Sequence, residues 1–392
     1  MKHGLKIFDT DTHLAPSAET LRPYLARTVF DRIPDLDEHR VPIRSNRAGK
    51  AMQPPYRHWF RFRGAGMDEG GGWGSQTPRY LGEAGPREDA PARASGMNMG
   101  GTYPTEGGDD DDPRARLMDM DREGVDVHFM VGGAGAIHKD PDLSMEFVRA
   151  GHRYLNDFCS TDAHRLKASL TVIPTAVEES VEEIKRWGKS PWCVAIQPSL
   201  ALDYPLDHPD LNPIWEAAQQ ADLAVIHHSF STGYPGYRDL WANPFLGRLA
   251  SHPWGAMRAV AAFFGAGVMD RFPYLRFGIL ESGIGWLPFW ARRMDDQAVY
   301  MGYTAENLEY TMSEYVTGGR FFAATVLHEG EAMVRLVTDY LGDQILMFGS
   351  DYSHPESRFP NSADTLLEWS HLSQDQLRKL CWDNPVRFLG EP

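Results

Sequence analysis

Cysteine is scarce in this 392-residue chain. The three present, Cys159, Cys193 and Cys381, lie far apart and form no C-x-x-C pair. That excludes a disulfide framework and a thiolate-rich metal site, and it leads to the expectation of a reducing, cytoplasmic setting. Basic residues are outnumbered, with 39 Lys plus Arg against 54 Asp plus Glu and a formal net charge of -15. A nucleic-acid or anionic-lipid surface needs clustered cations, so neither is expected as a partner and a small-molecule substrate is. Long apolar runs are missing as well: the longest, Ala259 to Met269, is broken by Gly265 and Gly267 and cannot cross a bilayer core of about 30 Å as a helix. The first residues, Met1 to Phe8, carry Lys2 and Lys6 but no apolar stretch and no small-residue cleavage site, so no secretory signal is read there. There is no internal repeat and no G-x-G-x-x-G opening a helix, which argues against a dinucleotide-binding doubly wound sheet.

The chain is long enough for one large barrel with extensions or for two ordinary domains. From Gly64 to Asp112 it is rich in Gly, Pro and charge, with the triplet Gly70 to Gly72 and the acidic run Asp109 to Asp112. Such a composition has too little apolar surface for a core of its own. It reads as a surface insertion after the first strand rather than an interdomain linker, with Trp59, Phe60, Trp73 and Tyr80 placed to cover a pocket or a subunit interface. Elsewhere short apolar runs alternate with amphipathic ones. The runs Leu5 to Phe8, Val125 to Val131, Ala168 to Ile173, Cys193 to Gln197, Leu223 to Ile226, Leu275 to Leu280, Phe321 to Val326 and Ile345 to Phe348 read as strands. Helical periodicity fills the gaps, as in Met145 to Thr161, Val177 to Trp187, Asn212 to Asp222, Met257 to Arg271 and Glu331 to Leu341. Eight strands alternating with helices predict a parallel α/β barrel as one domain over 1–392, with 40–113 as a loop-rich insertion.

In such a barrel the functional site lies at the carboxyl ends of the strands. Four of the eight predicted strands lead into oxygen or imidazole ligands: D-T-D-T-H (Asp9 to His13), His227-His228, Glu281-Ser282-Gly283, and Gly349-Ser350-Asp351-Tyr352-Ser353-His354. These groups are costly beside a barrel core unless paired or bound to metal, so their convergence on one rim reads as a site. Residues two apart on an extended chain point the same way. Asp11 and His13 can therefore share one ion, with Asp9 as a supporting partner or a third ligand. His227 and His228 are adjacent, so one of them enters the barrel, with His228 favoured. Glu281 either faces an ion or substrate or pairs with Arg292 or Arg293. Asp351 serves as ligand, as general base, or as both, and His354 either holds a water or orients Asp351. His252, His328 and His138 have no such context and read as surface or structural. Carboxylate and imidazole donors without thiolate fit divalent Zn, Mn or Fe.

These motifs, in this order, resemble the amidohydrolase superfamily, and within it the amidohydrolase 2 branch related to aminocarboxymuconate semialdehyde decarboxylase. The most specific segments are D-T-D-T-H, F-P-Y-L-R-F-G-I-L-E-S-G-I-G-W-L-P (Phe272 to Pro288), F-G-S-D-Y-S-H-P-E (Phe348 to Glu356) and D-N-P-V-R-F-L-G (Asp383 to Gly390). The resemblance implies a distorted (β/α)8 TIM barrel with a divalent metal at the carboxyl-end rim. The family's H-x-H pair falls on Asp11 and His13, its histidine after the fifth strand on His228 or His227, its histidine after the sixth strand on the Glu281 region, and its aspartate on Asp351. Two positions thus exchange nitrogen for carboxylate, which shifts preference toward Mn or Fe, or toward a pair of ions bridged by Glu281. The expected activity is that of a metal-dependent hydrolase with Asp351 taking a proton from a bound water. The alternatives are a dinuclear Fe or Mn oxygen-activating hydroxylase, or its partner subunit, and a non-oxidative decarboxylase. One or two ions per chain are expected, as is assembly into a homo-oligomer or with a related subunit.

Overall fold

A computed structural model describes residues 1–47, 49–62, 101–105, 112–132, 138, 140–199, 205–228, 244–302 and 308–392, with the backbone alone over most of 244–251. Most of the predicted insertion, including Gly70 to Gly72, Trp73, Tyr80 and Asp109 to Asp111, lies outside these residues. Eight parallel strands follow one another around a barrel in chain order: β1 (Phe8–Leu14), β2 (Val127–Gly132), β3 (Leu166–Val172), β4 (Cys193–Pro198), β5 (Ala224–His228), β6 (Phe277–Leu280), β7 (Phe321–Ala324) and β8 (Leu346–Met347). Backbone hydrogen bonds close the seam between the first and last: Thr10 N to Phe348 O at 2.9 Å, Asp351 N to Asp11 O at 2.9 Å, and His13 N to Tyr352 O at 2.6 Å. The chain thus forms a (β/α)8 barrel, as the strand–helix alternation predicts.

Local sequence explains the helices that separate the strands. Asp-Pro opens two of them, Pro113–Glu123 and Pro141–Cys159. In each the aspartate accepts hydrogen bonds from first-turn backbone N–H groups, and the proline fills a position whose own N–H would go unused. The last acid of the run Asp109 to Asp112 is therefore a helix cap. Val177–Trp187 carries Glu178 and Glu179 in its first turn and Lys185 and Arg186 in its last, matching the helix dipole. Between Pro141–Cys159 and Val177–Trp187, the buried His152 receives the Thr171 backbone N–H on Nε2 at 3.1 Å and meets Glu183 through Nδ1 at 2.7 Å. Within the 40–113 region, a small antiparallel pair (Arg40–Pro42 with His58–Phe60) buries Phe60 against Phe62 and Phe147 of the same chain.

Side chains fill the barrel from its amino-terminal end. Phe8, Val127, Phe129, Ile226, Leu280, Phe322 and Met347 form an inner cluster, and Phe388 from the closing helix Asn384–Leu389 inserts among them. A Cβ on Gly278 would come 2.3 Å from the Phe388 ring, so only glycine admits the plug there. Asn384 holds the same helix to the chain by donating to Asp343 O and Leu346 O, both at 2.8 Å. The closing D-N-P-V-R-F-L-G motif is thus a structural stopper, and polar groups are left to the other rim.

The expected strand boundaries differ by one to three residues at most ends, and by more at one. The first strand begins at Phe8, not Leu5, and runs through the D-T-D-T-H motif instead of ending before it. The seam hydrogen bonds to the segment after β8 extend it, because they pair backbone groups on both sides of these polar residues.

Truncating the plug, Phe388→Ala, is expected to lower unfolding free energy by about 3–5 kcal/mol, read from urea denaturation midpoints. The Glu183 carboxyl is held below its ordinary value: burial opposes ionisation, but the His152 hydrogen bond and the charges of His152, Arg186 and Arg149 together outweigh it. A depressed folded value gives stability that is present above the unfolded value of 4.5 and is lost as pH falls below it. Glu183→Gln should therefore flatten the acid limb of the stability–pH curve, and an unchanged limb would contradict the assignment.

Candidate metal centre

β1 brings two groups to the rim by a change of parity. Phe8 points into the barrel cluster while Leu14 packs in the outer one, and the register of β1 with β2 shifts between Asp9 and Thr12. Strict alternation would put Asp9, Asp11 and His13 on one face; the shift separates Asp9 from the other two. In β5, alternation holds: Ala224 and Ile226 belong to the inner cluster and Val225 to the outer, so His228 faces inward and His227 does not.

Glu281 and Asp351 reach the same place by another device. Each follows its strand and occupies left-handed backbone, at φ 51° and 62°. Non-glycine residues rarely adopt this conformation, and it costs about 1–3 kcal/mol unless the surroundings impose it. For Glu281 the surroundings are visible. The Glu329 carboxylate accepts from Ile284 N at 2.7 Å and Gly285 N at 3.3 Å, and His252 donates Nδ1–H to the Glu281 backbone oxygen at 2.7 Å. For Asp351, the Asp11 backbone oxygen takes its N–H. Gly349 allows the approach, since a Cβ there would come 2.9 Å from that of Asp11.

The side chains converge. His13 Nε2 lies 2.8 Å from Asp351 Oδ1, 3.7 Å from Asp11 Oδ1 and 3.7 Å from Glu281 Oε2. His228 Nε2 lies 2.9 Å from Glu281 Oε2 and 3.6 Å from Asp11 Oδ1. Two overlapping groups have ligand atoms within 4.8 Å of one another: Asp11, His13 and His228, and His13, Glu281, Asp351 and His354. Neither Asp9 nor His227 joins them. Asp9 Oδ1 instead accepts from Ser350 N at 3.0 Å and Asp11 N at 3.2 Å, tying β1 to the segment that carries Asp351. The ring of His354 stacks on His13 at 3.9 Å, and its Nδ1 lies 2.8 Å from Asp351 Oδ1.

The residues fit a divalent cation. Three carboxylates, each almost fully buried, face the imidazole nitrogen of His13, and Asp11 Oδ1 and Asp351 Oδ2 have no hydrogen-bond partner among the described residues. Buried like charges this close repel unless a cation lies among them. The charge states agree with that role. Burial, and after it the charge of His354, push the His13 ring down to about 3, leaving a neutral nitrogen donor. Burial and the neighbouring Asp351 oppose ionisation of Glu281, yet His228 brings it down to about 2. Burial alone would deprotonate His228, but Glu281 and Asp11 raise it well above its ordinary value, so without metal a proton stands where the cation would. The donor set is the oxygen–nitrogen one that suits Mn, Fe or Zn.

Three contributors carry no signal in the sequence. His252, expected to be surface or structural, reaches Glu281 from the helix Pro244–Gly265. Arg116, fully buried, donates to the His13 backbone oxygen and lies over the Tyr352 ring at 5.0 Å, while Tyr352 donates to Asp119 at 2.6 Å. Arg47 brings Nη1 to 3.3 Å from His354 Nε2. All depend on contacts between distant segments, which spacing cannot reveal.

A family model described as "Amidohydrolase" matches residues 8–390. Among solved structures, an amidohydrolase from Mycobacterium avium subsp. paratuberculosis K-10 is similar at a TM-score of 0.72 and 18% identity over 99% of this chain and 100% of that one. A 5-carboxyvanillate decarboxylase from Novosphingobium aromaticivorans, complexed with manganese and 4-hydroxy-3-methoxy-5-nitrobenzoic acid, gives 0.67 and 18% over 99% and 97%. A 2,6-dihydroxybenzoate decarboxylase from Rhizobium gives 0.59 and 18% over 70% and 87%.

Protein loaded with Mn and measured by elemental analysis should bind metal, and His13→Ala, which removes the residue common to both groups, should abolish it. Asp9→Asn keeps the side-chain oxygen that accepts from the Ser350 and Asp11 backbone N–H groups and should retain metal; loss of metal there would return Asp9 to the ligand set.

Proposed function

We propose, from the premise that the chain belongs to the amidohydrolase family, that it is a divalent-metal-dependent decarboxylase acting without an oxidant on a small carboxylic acid that bears a hydroxyl or carbonyl oxygen beside the carboxylate. The observation that carries this reading is the line Arg47, His354, Asp351 at the edge of the cluster. It sets positive groups beside a site whose carboxylates would otherwise repel an anionic substrate. The names of two similar structures, decarboxylases of hydroxylated benzoates, point the same way.

Asp11, His13, His228 and Asp351 would hold the ion, with Glu281 adjoining. Bound there, it supplies a Lewis-acid charge for the substrate's oxygens. Arg47 orients the carboxylate end. Burial disfavours the charged ring of His354, but the charge of Asp351 raises it above its ordinary value, so the ring carries a proton to give. Stacked on His13, it lies beside a substrate seated over the cluster. The proton passes to the carbon that held the carboxylate, the electrons of the broken C–C bond remain on that carbon, and CO2 leaves. Solvent restores the proton through the ring's exposed edge.

A second reading, hydrolysis, draws on Glu281. Its carboxylate lies 2.9 Å from His228 Nε2 and its backbone oxygen is held by His252, which positions it to take a proton from an attacking water.

Incubating the Mn-loaded protein with ortho-hydroxybenzoates and other acids of this class should release CO2. His354→Gln should cut turnover by about 10²–10⁴-fold while metal content stays unchanged. Turnover of esters or lactones without CO2 would replace this reading with the second, and consumption of O2 would replace both with the hydroxylase.

A further inference from the structure

We propose that the inward face of β3, with Gln197 of β4, selects the substrate by binding a second, uncharged hydrogen-bonding group on it, a hydroxyl or a carboxamide remote from the carboxylate. This rests on the reading of a small carboxylic acid as substrate and narrows it. The strand Leu166–Val172 reads L-K-A-S-L-T-V. Period-two alternation sends Leu166, Ala168, Leu170 and Val172 outward into the larger core. Lys167, Ser169 and Thr171 therefore point into the barrel. Each of the other seven strands adds at least one residue to the inner apolar cluster, and β3 adds none. A strand that gives up apolar packing along its whole inner face has polar groups to offer to something inside the barrel.

Lys167 is committed elsewhere, since its ammonium donates to Pro191 O at 2.8 Å. Ser169 is fully buried, and its Oγ meets no hydrogen-bond partner among the described residues. A hydroxyl in that state is costly unless a ligand or water engages it. Thr171, two residues nearer the rim, pairs in register with Gln197, which shares the inward face with Ala195 and is partly open to solvent. The three side chains thus step from the rim down into the barrel. Each both donates and accepts, and none is charged. A hydroxyl or carboxamide can use both capacities, whereas a methyl group would leave them unpaired and a carboxylate would meet no counter-charge.

Strand register places this wall relative to the metal centre. His13 pairs with Val131, and Val131, next after Met130 opposite Ala168, stands beside Ser169. His13 and Ser169 therefore face inward from the two sides of β2 at one level, about 9–10 Å apart at the usual strand spacing. Val131 lies between them as an apolar floor. His354 follows β8, on the other edge of β1, so the carboxylate end and the second polar group of the substrate point to opposite sides.

Calorimetric titration of the full-length, Mn-loaded protein tests this with 2-hydroxybenzoates that carry a hydroxyl, carboxamide, methyl or carboxylate group across the ring from the carboxylate. The best hydroxyl or carboxamide ligand should bind about 10–100-fold more tightly than its methyl or carboxylate counterpart. The double variant Ser169→Ala, Thr171→Val should erase that ratio, and Thr171→Ser, which keeps the hydroxyl, should retain it. Because the Ser169 hydroxyl has no partner to lose, Ser169→Ala alone should leave Tm unchanged or higher. Preference for the methyl or carboxylate ligand, a ratio that survives in the double variant, or a marked fall in Tm with Ser169→Ala would each overturn the proposal. Binding is read without turnover, so the expected ratios with no CO2 release would remove the decarboxylase reading and leave this wall in place.

Discussion

The organising constraint of this protein is the burial of Asp11, Glu281 and Asp351 around the imidazole nitrogen of His13, with that of His228 beside the first two. Three carboxylates in so small a dry space repel one another strongly, and the nearness of the His13 and His228 rings and the His354 hydrogen bond to Asp351 offset only part of that. A divalent cation supplies what is missing. The costs met elsewhere follow from holding these groups in place: left-handed backbone at Glu281 and Asp351, a glycine at 349, and a buried arginine that grips the backbone of His13.

The barrel divides this work between its ends. Apolar side chains and the inserted ring of Phe388 fill the amino-terminal end and make it rigid. At the opposite rim, the polar groups among the described residues are supported by neighbours outside the strands. Glu329 and His252 brace the Glu281 loop, and Arg116, Asp119 and Tyr352 brace the loop of Asp351. A rigid base with a braced rim keeps ligands in position for metal. The strongly negative formal charge is in part a property of this rim, and a bound cation would offset that share. Among the described residues no helix is long and apolar enough to cross a membrane.

The acidic cluster and the proposed reaction make opposite demands. A carboxylate-bearing substrate has to approach a site that already carries three acids. The metal meets part of that demand, and the positive edge formed by Arg47 and His354 meets the rest. His354 links the two, since its hold on Asp351 both stabilises the cluster and keeps a proton at the rim.

Strand–helix alternation and the placement of Asp, Glu and His after apolar runs were enough to read the barrel, its polar rim and five convergent residues, Asp11, His13, His228, Glu281 and Asp351. These features are local: period-two burial chooses His228 over His227, and glycine and serine after a strand mark where the chain leaves the sheet. Tertiary structure alone decided the rest. A register shift in β1 turns Asp9 away from Asp11 and His13, because pairing with β2 and with the segment after β8 sets the parity there. His252, Arg116 and Arg47 join the site only through contacts spanning tens to hundreds of residues, and the backbone at Glu281 and Asp351 is held left-handed by partners from other elements. Which residue types can bind metal is written along the chain; which of them meet depends on how distant backbones pair.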